Sequence, residues 1–428
     1  MALSKIQSIT LISILIIATG SVVAYVLLKE PKESSETVKI GVCADLDNSA
    51  GKSIYQEAVL AVEQINAEGG ILGRLFEVVA EDDDSESGNM DVALATNALT
   101  KLITVDQADY IVSTGTFTSI YQELAFQHKK ILFDAYNSLD ESTQKVLDDY
   151  NRYKYYFRIG TGNATALANN GNGLFVNFVE DMGFNKVALV SNEFHGSQMV
   201  FSSMTASLQE SGIEVVYTAS IPWDSLDFSS YFAQAEAAGT EIMFCINIMP
   251  QAGLPLVREY YERQSPLVLM GNIGGIIQSD FWELTEGKCE FVIFSASPTT
   301  AGYPFTNKTL AFTEAYTIRW GEVALGPVYD IVRYILPDAI KRAGTFETDA
   351  VISALETIDV ETSLARHFVF TSSHDIMLGG AGPNNHYFFG MFQWQNGEMV
   401  PVLPKEIREE AGATLTFPDW PGPWDEIS

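Results

Sequence analysis

Residues 38–44 (VKIGVCA) form an unbroken apolar, β-branched run, the pattern of a strand covered on both faces. After a polar stretch at 45–53, Ala58, Ala61, Val62 and Ile65 recur at the i, i+3, i+4, i+7 spacing of one helical face. Gly69-Gly70 supplies the left-handed stop that a helix end favours. A second strand, 75–80 (LFEVVA), closes on Asp82-Asp83-Asp84. The alternation continues with a helix at 91–105, a strand at 109–114, a helix at 120–128 and a strand at 130–134. Strand and helix in strict turn predict a parallel sheet with helices on both faces.

The pattern restarts after Phe157-Arg158-Ile159. Helices at 165–182, 196–211, 229–238 and 251–263 alternate with strands at 186–191, 213–218, 241–247, 267–270 and 290–294. Helices follow at 306–321, 327–344 and 348–358, then strand-like 366–371 and 386–395, and a Pro- and Trp-containing tail at 401–428. No tandem repeat of solenoid period is visible. The expected class is α/β: two doubly wound parallel-sheet lobes with repeated chain crossings, preceded by an N-terminal hydrophobic helix.

That helix comes from the run between Lys5 and Lys29, which carries no charge and exceeds the length of a signal-peptide core. Residues 1–29 are expected to be a signal peptide or membrane anchor, with 30–37 a polar tether. No cysteine lies near the run, so a lipoprotein anchor is excluded. The acidic remainder is expected outside the cell, at the surface or in a periplasm, secreted or tethered to the membrane. Two Asn-x-Thr sequons, at Asn163 and Asn307, are compatible with that location.

Composition narrows the partners. Lys and Arg number 25 against 55 Asp and Glu, a net charge of −30. Nucleic-acid binding needs clustered cations and is excluded, and adhesion to anionic lipid is disfavoured. Hydrophobic residues make up 47% of the chain, enough for two sizeable cores. The three cysteines, Cys43, Cys245 and Cys289, form no CxxC; zinc ligation and thioredoxin-type redox chemistry are not expected.

Catalytic and cofactor motifs fail on inspection. Gly51-Lys52-Ser53 resembles the end of a phosphate loop, but Leu46 stands where the first glycine belongs, so the backbone N–H wrap cannot form. No G-x-S-x-G occurs, and no two histidines share a helical turn. Asp82-Asp83-Asp84 lacks the alternate spacing of a calcium loop. His374-Asp375 reads as a structural or solvated loop pair. No metal and no cofactor are expected.

The loops at the carboxyl ends of the strands remain. Gly115-Thr116-Phe117-Thr118-Ser119 joins a strand to a helix whose N-terminus favours a carboxylate or other anion. Ser119 either caps that helix or binds a ligand. Asn137-Ser138 emerges on the same edge, and the second unit offers 192–196, 247–250 and 271–272. Amides beside Phe117, Tyr136 and Phe194 suit a small-molecule cleft, although Asn and Gly are also ordinary turn residues.

The segment 61–73 (AVEQINAEGGILG), followed by Asp82–Asp84, resembles the type I periplasmic-binding-protein family, in particular the leucine/isoleucine/valine-type solute-binding proteins of ABC transporters. The likeness runs on through Gly115 to Ser119, 157–159 (FRI), Phe194-His195-Gly196, 326–334 (GPVYDIVRY, which contains Tyr329) and Phe392-Gln393-Trp394. It implies two lobes joined by three hinge crossings, near 158–162, 294–299 and 364–367, closing on a ligand. Lobe 1 would comprise 38–158 and 299–365, lobe 2 would comprise 159–298 and 366–403, and 404–428 would be a tail. The resemblance puts the family's ligand contacts at Ser119 and at Asn137 or Ser138, with His195 and a position near Ile248 from the other lobe and the ammonium's acidic partner near Asn272 or Ile273; Thr118 and Tyr329 are further candidates. His195 replaces a common tyrosine, the family's acid is missing near Asn272, and Glu193 is a candidate substitute. The resemblance implies a non-enzymatic binding protein for a small polar solute, partnered by an ABC permease and its ATPase. The alternative is a sensory ectodomain of the same fold.

Overall fold

The computed structural model describes residues 37–84, 91–160, 162, 164–193, 197–278, 280–324, 327–379, 386–387 and 390–427. The leader and most of the tether lie outside the described residues. No helix among the described residues is long and apolar enough to cross a membrane.

The first lobe opens with β1 (Val38–Ala44), α1 (Ser49–Ala67), β2 (Phe76–Asp82), α2 (Val92–Thr104) and β3 (Tyr110–Ser113). It continues with α3 (Thr118–His128), β4 (Ile131–Asp134), α4 (Asp140–Asp148) and β5 (Tyr156–Arg158). The sheet order is β2-β1-β3-β4-β5, every pair parallel, with Ile40 opposite both Val78 and Tyr110. β1 is an interior strand and helices cover both faces, which is why Val38, Ile40 and Val42 are wholly buried. α1 turns Ala58, Ala61, Val62 and Ile65 inward, and Asn48 caps it by accepting from the Ala50 N–H at 2.8 Å.

The second lobe repeats the plan. It runs α5 (Ala164–Asp181), β6 (Lys186–Asn192), α6 (Ser197–Glu210), β7 (Glu214–Ile221), α7 (Ser229–Ala237), β8 (Ile242–Ile248), α8 (Pro250–Arg263), β9 (Val268–Ile273) and β10 (Ile293–Ala296). Strands β7-β6-β8-β9-β10 are parallel in the same 2-1-3-4-5 order as the first lobe. The chain then returns to the first lobe for α9 (Thr309–Trp320), a helical run ending in α10 (Leu336–Ala343), and α11 (Thr348–Leu355). Last come β11 (Gly390–Gln395) and β12 (Glu398–Leu403), which extend the second sheet antiparallel.

The packing shifts two boundaries from those the sequence implied. Residues 366–371, expected in the second lobe, belong to the first core: Phe368 and Phe370 are buried there, and Phe370 meets Phe157 edge-on at 4.9 Å. Two alternate aromatics mark a buried face but do not say which sheet covers it. The third crossing therefore falls between Tyr387, in the first core, and Met391, in the second, not at 364–367. The tail is also part of the second lobe. Trp424 is buried in its core and stacks on Phe417, while Trp420 meets Tyr261 edge-on at 5.4 Å and donates to the Ser265 carbonyl.

Candidate functional site

The strand order of the first sheet reverses between β1 and β3, and open α/β sheets bind ligands at the carboxyl ends of strands beside such a reversal. The loop after β1 is shaped by buried Asp45, whose Oδ1 accepts the N–H groups of Asp47 and Asn48, both at 3.1 Å. An open cavity of about 540 Å³ lies there, lined by Asp45, Asp47, Asn48, Asp82, Asp84 and Leu94.

The loops after β3 and β4 lock onto one carboxylate. Gly115 adopts φ +95°, and a Cβ there would lie 2.3 Å from Asp134 Oδ1 and 2.7 Å from the Asn137 nitrogen. Thr118 Oγ1 lies 2.5 Å from Asp134 Oδ2 and 2.7 Å from the Gly115 carbonyl. The Tyr156 hydroxyl donates to the same carboxylate at 3.1 Å. Asn137 donates from Nδ2 to Thr118 Oγ1 at 2.8 Å and accepts from the Leu139 N–H at 2.9 Å. Burial pushes the Asp134 carboxyl up to about 6, against the opposing pull of the Thr118, Asn137 and Tyr156 hydrogen bonds and the Arg158 charge.

This network redefines several residues picked out in the sequence. Thr118 and Asn137 are buried, and their side-chain polar atoms are engaged with the protein itself. Ser119 neither caps α3, whose N-cap is Phe117 with no side-chain bond, nor is buried; its Oγ accepts from Lys145 Nζ at 3.2 Å. Tyr329 sits away from the strand ends, stacked on Phe312 at 4.0 Å with its hydroxyl donating to Gln64 Oε1 at 2.5 Å. Ser138 is half-buried at the first crossing, where its carbonyl accepts the Ala164 N–H at 2.7 Å. Beside it Asp140 reaches from the first lobe to the Thr165 N–H at 3.2 Å and to the Thr165 hydroxyl.

In the second lobe Asn192 joins three strand ends. It donates to the carbonyls of Ile221 and Pro222 and accepts from the Met249 N–H at 2.8 Å. Glu193 and Asn272 are exposed next to this junction, and Ile248 is buried beneath it. Gly271, at φ +126°, leaves no room for a Cβ, which would stand 2.0 Å from the Cys245 carbonyl. His195 lies outside the described residues. Among the sequence-predicted side chains, Ser138, Glu193 and Asn272 keep solvent exposure and make no side-chain hydrogen bond within the described residues.

Sequence reasoning missed the role of Arg158. It is wholly buried at the first crossing, bidentate to Asp375, with its other donors on the Asn137 and Leu139 carbonyls and Thr143 Oγ1. His374 stacks flat on Phe157 at 4.1 Å and bonds the Tyr156 carbonyl and Glu356. Burial lowers its imidazole below the ordinary histidine value, against the pull of Glu356. A lone arginine inside the apolar run YYFRI was the one available signal, because such a charge requires a buried acid.

The geometry has parallels elsewhere. The family model described as periplasmic binding protein matches residues 37–381. Leu/Ile/Val-binding protein homolog 7 of Brucella abortus (strain 2308) is 23% identical over 364 residues, covering 81% of this chain and 85% of its own. A crystal structure ascribed to a branched-chain amino acid ABC transporter of Silicibacter pomeroyi superposes with a TM-score of 0.73 at 18% identity, covering 90% of this chain and all of that one. The branched-chain amino acid substrate-binding protein LivJ of Streptococcus pneumoniae, solved with isoleucine, gives 0.64 at 20% identity, covering 86% of this chain and all of that one.

Proposed function

The chain belongs to the periplasmic binding protein family, whose members are extracytoplasmic and non-catalytic, and on that premise we propose that it is the solute-capturing component of an ABC uptake transporter. The solute is a small polar molecule, an amino acid, amide or relative, held between the lobes by hinge closure. A permease with its ATPase receives it, and residues 1–29 export the chain or tether it to the membrane.

One observation carries this reading: both lobes use the strand order 2-1-3-4-5, and each presents polar loops at its own reversal point. Of the sequence-predicted side chains among the described residues, Ser138, Glu193 and Asn272 are free to meet a ligand from the two lobes. Glu193 offers a carboxylate to an ammonium, and Asn272 offers an amide to either end of an amino acid.

The test is a thermal-shift screen of the purified protein against amino acids, amides, urea, nucleosides, sugars and small carboxylates. A ligand at 100 times its dissociation constant adds about 2.7 kcal/mol of stability. A shift from one class, abolished by Glu193→Gln with Asn272→Ala, supports the reading. Silence across the panel removes the solute class named here.

A further inference from the structure

Trp223 is 61% exposed and Leu226 is 57% exposed, both on the loop that leaves β7. Trp223 is the one exposed tryptophan among the described residues. The loop that carries it is held firmly. The Ser225 N–H donates to the Pro222 carbonyl at 2.9 Å, and the Trp223 carbonyl accepts from Gln251 Nε2 at 3.0 Å. Asp227 accepts both the N–H and the hydroxyl of Ser229, which holds its carboxyl below the ordinary range. Asn192 grips the Pro222 carbonyl from the neighbouring strand. A large aromatic held rigidly in water gains nothing for the fold, and it is the kind of side chain that anchors interfaces at low entropic cost.

Charge decides what the anchor faces. Between Lys186 and Arg258 the sequence holds seven carboxylates and no lysine or arginine. Among the described residues, only Glu236 of these pairs with a cation, Arg263. Asp224 and Asp227 flank the exposed pair within the loop itself. A second copy of this chain, at net charge −30, would be repelled, and so would an anionic bilayer. The complementary surface is a protein with an apolar socket rimmed by lysine or arginine.

We propose that the Trp223–Leu226 loop is the docking element for the membrane-embedded permease, seating both side chains in a basic-rimmed socket on its outer face. This rests on the transporter reading above. β7 runs parallel to β6, so the loop stands on the same sheet edge as Asn192 and Glu193. The docked surface is thus the rim of the cleft.

The experiment reconstitutes in nanodiscs, one at a time, the ABC permease–ATPase pairs of the source genome, and reads ATP hydrolysis against binding-protein concentration. Trp223→Ser with Leu226→Ser should raise the half-stimulating concentration by about tenfold or more, with solute affinity and melting temperature unchanged. Asp224→Asn should weaken stimulation less and flatten its salt dependence. Equal stimulation by the double variant overturns the proposal while leaving the transporter reading intact. Absence of stimulation by the unaltered chain overturns the transporter reading itself. A dimer in sedimentation that the double variant dissolves assigns the loop to self-association and also overturns the proposal.

Discussion

Arg158 and Asp375 form a two-bond ion pair, Nε to Oδ1 at 2.8 Å and Nη2 to Oδ2 at 3.1 Å, with neither side chain open to solvent. All five N–H groups of the guanidinium have acceptors, so the charge is compensated. It pins the start of the first crossing to a loop distant in sequence. Asp375→Asn should leave the guanidinium buried and unpaired, at a cost of about 3–5 kcal/mol in urea unfolding. A loss below about 1 kcal/mol would show that water reaches the pair.

Asp134 should give stability a slope with pH. An unfolded aspartate titrates near 3.9, while the folded Asp134 keeps its proton up to about 6. Between those values the native state binds the extra proton, so this contribution is full below about pH 4 and is lost as pH rises through 6. The span amounts to roughly 3 kcal/mol. Asp134→Asn should flatten that segment in urea titrations at pH 4, 5, 6 and 7; an unaltered slope would refute the assignment.

His374 should act in the opposite sense. Its imidazole is buried and held below the ordinary histidine value. Its contribution is therefore present above about pH 6.5 and lost as pH falls through the lower folded value. His374→Gln should remove that acid-side loss, which the same titrations would separate from the Asp134 slope.

Gly115→Ala should destabilise the first lobe. The left-handed backbone alone costs about 1–3 kcal/mol for a residue with a side chain, and the new methyl would collide with Asp134 and the Asn137 backbone. Solute affinity should fall with it, because the loops after β3 and β4 move together. Unchanged thermal stability would contradict the geometry.

Trp420→Ala should cost about 3 kcal/mol, the lower end for a tryptophan because the ring is only half-buried. The loss should localise. Hydrogen exchange would quicken in α8, where Tyr260 and Tyr261 meet the ring, and stay slow in β1. Uniform acceleration would mean that the tail supports both lobes.

Strands and helices were legible because the two periodicities alternate cleanly: 38–44 is read and built alike. The direction of side chains at the strand ends was not legible. Thr118 and Asn137 have the composition of ligand contacts, but the fully buried Asp134 draws them inward, and a buried partner leaves no mark in spacing. Arg158 and Asp375 are likewise joined only by the fold. The place of the tail was not legible, because Ser265 and the Tyr260–Tyr261 pair that receive Trp420 lie far upstream and spacing does not mark them as partners.

β11 and β12 complete the second sheet and the segment from Ile407 to Ile427 packs on its core, although the rest of that lobe precedes residue 306. The first lobe, in turn, waits for Tyr387. Neither half can finish folding while the end of the chain is still being made or threaded outward. A chain stalled before residue 387 would hold two unfinished cores, each open to proteases before it could close on anything.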